Sequence, residues 1–106
     1  MIEKVYRYAQ GDGKAVDRLI EDENIQYIHV VFDAKDGFLP HESNSNVYMT
    51  VLRGRLSIGL GEQEVHCYGA GNVVHIPYKT KMNVRNEEND PLELIIVKAP
   101  APSKMK

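Results

Sequence analysis

The sequence predicts an all-β domain, a sandwich or barrel of many short strands, and three observations carry that reading. Turn residues recur at short intervals: Gly11-Asp12-Gly13, Asp36-Gly37, Gly54, Gly59 with Gly61, Gly69 with Gly71, Pro77 and Asn89-Asp90-Pro91. The stretches between them are rich in β-branched and aromatic residues. Several alternate with period two; Leu56, Ile58 and Leu60 share one face, and Arg55, Ser57 and Gly59 share the other. Strands spaced in this way leave no room for βαβ crossovers. A chain of 106 residues holds one core, so residues 1–98 are read as a single domain.

Taken in order, the segment Glu3–Tyr8 is the first predicted strand. Lys14–Asp22 reads either way: Val16, Leu19 and Ile20 suit one face of a helix, and the same stretch can be extended. Strands then follow at Ile25–Asp33, Val47–Arg53, Arg55–Leu60, Glu64–Tyr68, Asn72–Ile76, Met82–Asn86 and Leu92–Val97. The last is apolar on both faces, as a strand covered on both sides should be. Residues 99–106 form a Pro- and Lys-containing tail, expected to be extended and mobile because proline cannot pair in a ladder.

Composition narrows the function classes. With 42% hydrophobic and 26% charged residues the chain is globular, not disordered or fibrous. A formal net charge of -2, with no long run of like charge, gives no footprint for nucleic acid or an anionic membrane surface. No apolar run is long enough to span a bilayer, and the first residues lack a signal-like stretch. One cysteine, Cys67, allows no internal disulfide and fits a reducing, cytoplasmic setting. Cys67 itself reads as a small buried residue, since nothing around it suggests an activated thiolate. Gly59-x-Gly61 reads as a hairpin turn and not a phosphate loop, because no helix start follows. Lys79, Lys81 and Arg85 read as a solvated basic face, with the option of steering an anion toward the barrel mouth.

From Gly37 to Asn86 the spacing resembles the cupin superfamily, small double-stranded β-helix (jelly-roll) barrels. The family's first motif is Gly, five residues, His-x-His, three or four residues, Glu, six residues, Gly. Anchored on Gly54 and spanning about 37–54, it puts the Glu position on Val47 and the two His positions on His41 and Ser43. Gly37 stands four positions ahead of His41 instead of six, which shortens the opening loop. The second motif is Gly, five residues, Pro-x-Gly, two residues, His, three residues, Asn. Over 71–86, Gly71, Pro77 and Asn86 match, Lys79 replaces the Gly and Met82 replaces the His. The resemblance implies a cupin barrel. It also implies a metal held at positions 41, 43, 47 and 82, of which only His41 bears a ligand of the family's kind. A catalytic metal needs about three protein ligands, so neither metal nor other cofactor is expected.

Alternation from His41 onward puts His41, Ser43, Val47, Met49 and Val51 on one face, inward in a cupin, with Met82 and Val84 joining them from the strand after Pro77. These residues and His75, whose face the sequence leaves open, are the candidate ligand pocket. Three readings follow. The first is a binding site for a small, mostly apolar molecule oriented by His41 and Ser43. A metal-dependent isomerase or dioxygenase with a relocated site at His41, His75 and His29 is the second. In the third the barrel is filled by its own side chains and the protein is an accessory or interaction module. The polar run His41-Glu42-Ser43-Asn44-Ser45-Asn46 reads either as a loop bonding backbone or as a lip selecting ligand groups. His66 reads as an exposed strand residue. The apolar edge Ile28, Val30, Phe32 and the doubly apolar Leu94–Val97 exceed what one small barrel buries, so a homodimer is expected.

Overall fold

Nine strands in two antiparallel sheets make up the computed structural model, which is described over residues 1–105. The strands are β1 (Ala15–Glu21), β2 (Gln26–Phe32), β3 (His41–Glu42), β4 (Val47–Arg53), β5 (Arg55–Leu60), β6 (His66–Gly69), β7 (Val73–Ile76), β8 (Lys81–Arg85) and β9 (Leu92–Lys98). One sheet has the order β1-β2-β9-β4-β7 and the other β3-β8-β5-β6. Only β1–β2 and β5–β6 pair as sequence neighbours; every other pairing joins strands distant in the chain, as in a double-stranded β-helix. One open reading is resolved and one expectation changes. Lys14–Asp22 is extended, because in β1 Val16 and Arg18 face the interior opposite Val30 and Ile28, where a helix would leave the edge of β2 unpaired. Glu3–Tyr8 forms no strand; Met1 and Ile2 are fully exposed and Tyr8 lies against the outer face of the large sheet.

The core lies between the sheets and follows the period-two pattern. Ile28, Val30 and Phe32 of β2, Val47, Met49 and Val51 of β4, and Leu92, Leu94 and Ile96 of β9 come from the large sheet. Leu56, Ile58, Met82 and Val84 come from the small one. A bulge in β4 breaks the alternation usefully: Val51 pairs with Leu94 but Arg53 with Glu93, so Leu52 is the extra residue and Arg53 turns outward.

The motif residues are structural. Gly54 has φ +85 between β4 and β5, and a Cβ there would collide with the Pro91 carbonyl oxygen. Lys79, at the second motif's Gly position, takes φ +62 in the turn before β8. A lysine there carries left-handed strain of about 1–2 kcal/mol that glycine would not. Buried Asn86 is satisfied by bonds donated to the carbonyls of Asp33 (3.0 Å) and Asp90 (2.8 Å), and it accepts from the Glu88 amide (3.1 Å).

The tail is fastened, contrary to the expected mobility. Ser45 donates to the Pro100 carbonyl (2.5 Å), the Ala99 amide donates to Asn46, Ala101 is buried, and the Tyr78 hydroxyl donates to the Met105 carbonyl (3.0 Å). No helix among the described residues is long and apolar enough to cross a membrane.

Candidate functional site

A cavity of about 180 Å³ lies between the sheets. Its wall is built from inward positions on six strands: Val16 and Arg18 (β1), Ile28 (β2), His41 (β3), Val47 and Met49 (β4), Met82 (β8), Ile96 and Lys98 (β9), with Phe38 from the loop before β3. Ile28, Val47, Met49, Met82 and Ile96 are buried, whereas Val16, Arg18 and His41 are exposed at the mouth. Phe38 is held edge-on to Phe32, with ring centres 4.8 Å apart, and edge-on to His41 at 6.4 Å. The His41 Nδ1 donates to the Leu39 carbonyl (2.8 Å), which leaves Nε2 as the ring nitrogen a ligand can meet. His41 and Met82 also flank a second, more open groove with Pro40, Glu42, Gly59, Lys81 and Asn83.

Of the expected pocket residues, His41, Val47, Met49 and Met82 converge on the cavity. Val51 and Val84 are fully buried in the core and do not line it. Ser43 belongs to a turn and not to the cavity. Its hydroxyl donates to the Pro77 carbonyl (2.7 Å) and accepts from the Thr80 amide (2.8 Å), while its backbone pairs with Thr80 and Lys79. Ser43, Ser45 and Asn46 therefore bind distant backbone, and the polar run is a clasp instead of a lip. His75 lies on the outer face, exposed and stacked on Tyr48 with ring centres 4.5 Å apart. His66 is exposed, as expected, but so is Cys67, whose side of β6 faces away from the core.

The metal that the fold implies does not fit these residues. Positions 41, 47 and 82 do meet, but Val47 and Met82 offer an isopropyl group and a thioether, and the Ser43 hydroxyl is already bonded on both sides. The relocated set is also not assembled: His41 lines the cavity, while His75 and His29 lie on the outer face of the large sheet. Among the described residues no three His, Cys, Asp or Glu side chains are grouped to share a metal.

Sequence reasoning missed the cavity's two cations, Arg18 and Lys98. Alternation could have found both: Arg18 follows Val16 by two, and Lys98 follows Ile96 by two. Lys98 is half-buried; burial pulls its ammonium pKa below the usual lysine value, the Arg18 charge pulls it further, and Glu21 opposes.

The other charged cluster lies on the far side of the same sheet. His29 is completely buried, with Nδ1 3.0 Å from Asp17 and Nε2 2.6 Å from Glu93. Arg53 donates to Glu93 (2.9 Å), to Asp12 (2.5 Å) and to the Gly11 carbonyl (2.5 Å). Tyr8 stacks on the His29 ring at 3.9 Å, and the Ala9 amide donates to Asp17 (3.1 Å). The His29 hydrogen bond and then the Ala9 amide hold the Asp17 carboxyl below its usual pKa. Burial raises that of Glu93, but the bonds from His29 and Arg53 outweigh it and leave a net lowering. This cluster fastens residues 8–12 over the sheet.

No protein-family model matches the chain. An uncharacterized protein of Methanocaldococcus jannaschii is 38% identical over 106 residues, covering 99% of this chain and 91% of its own. Its crystal structure, an RmlC-like cupin with a double-stranded β-helix fold, matches with a TM-score of 0.95 over 99% of this chain and 97% of that one. A Thermus thermophilus protein matches with a TM-score of 0.76 at 22% identity, over 91% of each chain. A cupin superfamily protein of Desulfitobacterium hafniense matches at 0.74 and 11% identity, over 88% of this chain and 83% of its own. The last two are similar in fold alone. Together with Gly54 and Asn86 in their structural roles, the close relative fixes the family: this chain belongs to the RmlC-like cupins.

Proposed function

We propose that this cupin binds a small, largely apolar molecule in the cavity between its sheets. The supporting observation is the wall itself, seven apolar side chains against three polar ones, Arg18, His41 and Lys98. A site of that composition gains from excluding water and uses few polar groups for orientation. An apolar cavity of about 150 Å³ accepts a benzene molecule, so a single ring or a short chain is the right scale.

Thermal unfolding with a panel of one-ring and short-chain compounds tests the reading. A ligand present at about a hundred times its Kd stabilises the native state by about 2.7 kcal/mol, which is roughly ten degrees or more for a domain of this size. Val16→Trp, placed at the exposed mouth, is expected to abolish that response without overfilling the core. A panel that moves the parent's Tm nowhere would favour the filled-barrel reading instead.

A further inference from the structure

The mouth of the cavity holds two cations that nothing in the fold uses. Arg18 sits opposite Ile28, on the inward side of β1, just before the bulge at Leu19. Lys98 ends β9 on the same side as Leu94 and Ile96, with Gln26 and Val47 across from it. Among the described residues neither side chain makes an ion pair or a hydrogen bond; the exposed Arg7 and Arg55 share that lack, but Arg18 and Lys98 alone of these four line the cavity. Two like charges at the mouth of an apolar cavity repel each other, and Lys98 is partly desolvated as well. A fold that merely needed surface charge would turn both outward, as it does Arg53. An anion between them relieves the repulsion, and the apolar wall beneath selects what the anion carries.

We propose that the cavity takes a small monocarboxylic acid, its carboxylate held at the mouth by Arg18 and Lys98 and its single ring or short hydrocarbon chain seated against Phe38, Met49 and Ile96. This rests on the pocket reading above and narrows it. A carboxylate suits the site because a guanidinium and an ammonium can each donate to one of its oxygens. A phosphorylated sugar does not, since its hydroxyls would face Ile28, Val47 and Met49 without partners.

Calorimetry with benzoate and hexanoate against their uncharged counterparts, benzamide and hexanamide, decides the matter, with inorganic phosphate as the bare anion. The acids are expected to bind about tenfold or more tightly than the amides. Lys98→Met and Arg18→Gln should each shrink that preference, and the double variant should erase it while leaving amide affinity within about twofold. Neither variant should lower the parent's unliganded Tm, which separates a ligand contact from a structural one. Amides that bind as tightly as acids would overturn the inference and leave the pocket reading standing. So would a preference that survives the double variant, or phosphate stabilising as much as benzoate, which would mark an adventitious ion only. If neither acids nor amides bind, both readings fall together.

Discussion

Asp17 and Arg18 are neighbours in β1 that face opposite sides of one sheet, and their surroundings could hardly differ more. Asp17 points outward into a network where every charge has a partner: His29 lies between Asp17 and Glu93, and Arg53 joins Glu93 to Asp12. Arg18 points inward beside Lys98, and among the described residues neither forms an ion pair, Glu21 acting on Lys98 only from a distance. Both regions use β1, β2 and β9, so strand geometry is common to them and pairing is the difference. A charge that the fold has paired contributes to stability and is costly to remove. A charge left unpaired above an apolar cavity contributes nothing to the fold and is available to a ligand.

The sharpest way to break the comparison is at His29. Replacing it by Ala removes a fully buried ring, its stacking on Tyr8 and both carboxylate contacts, leaving Glu93 with Arg53 alone. Breaking such an arrangement by deleting one partner costs about 3 kcal/mol or more. Urea unfolding should show that loss in the midpoint with an unchanged slope. A loss under about 1 kcal/mol would mean that the outer network is surface decoration of the usual weak kind.

A smaller effect is expected from acid. The pKa of Asp17 and that of Glu93 are lowered by folding, so their contributions are present above the unfolded values, near pH 4, and are lost as pH falls through the folded ones. Asp36, lowered mainly by its hydrogen bond from Lys14, adds to the same acid-side loss. The Ala9 amide isolates the outer network, because it donates to Asp17 directly. Its proton resonance should titrate with a midpoint below that of an ordinary aspartate, and Asp17→Asn should flatten the curve. A midpoint at or above the ordinary value would show that the arm is not held through Asp17.

The two regions were also unequally legible in the sequence. Period-two alternation located the core of β4 and β5, and motif spacing located Gly54, Gly71, Pro77 and Asn86, because both signals are local. Ile28, Val30 and Phe32, expected as an apolar edge in excess of one barrel, are instead buried in the core of the single chain with Leu94 and Ile96. Alternation also brought His41, Val47, Met49 and Met82 to one wall. It misplaced Ser43 because the chain between β3 and β4 is a turn-bound clasp, where parity has no meaning. Arg18 was hidden by the double reading of Lys14–Asp22, and Lys98 by standing at the end of its strand. The His29 network was invisible for a different reason. Its partners lie 12 and 64 residues away, and no spacing rule connects them.

The smallest expected effect is the most discriminating, since it asks for a gain where intuition expects a loss. Arg18→Gln deletes a charge that, among the described residues, has no ion pair and that pushes the Lys98 ammonium toward deprotonation. In the unliganded protein the change should therefore be neutral or stabilising, by no more than about 0.5 kcal/mol. The gain should fade as salt rises, because screening already weakens the repulsion that the substitution removes. Asp17→Asn, one residue away, should destabilise under the same conditions. The unfolding midpoints of the two variants at low and high salt thus carry opposite signs if pairing separates the two faces. Equal losses from both would mean that Arg18 is structural after all, and its place at the cavity mouth would then need no ligand to explain it.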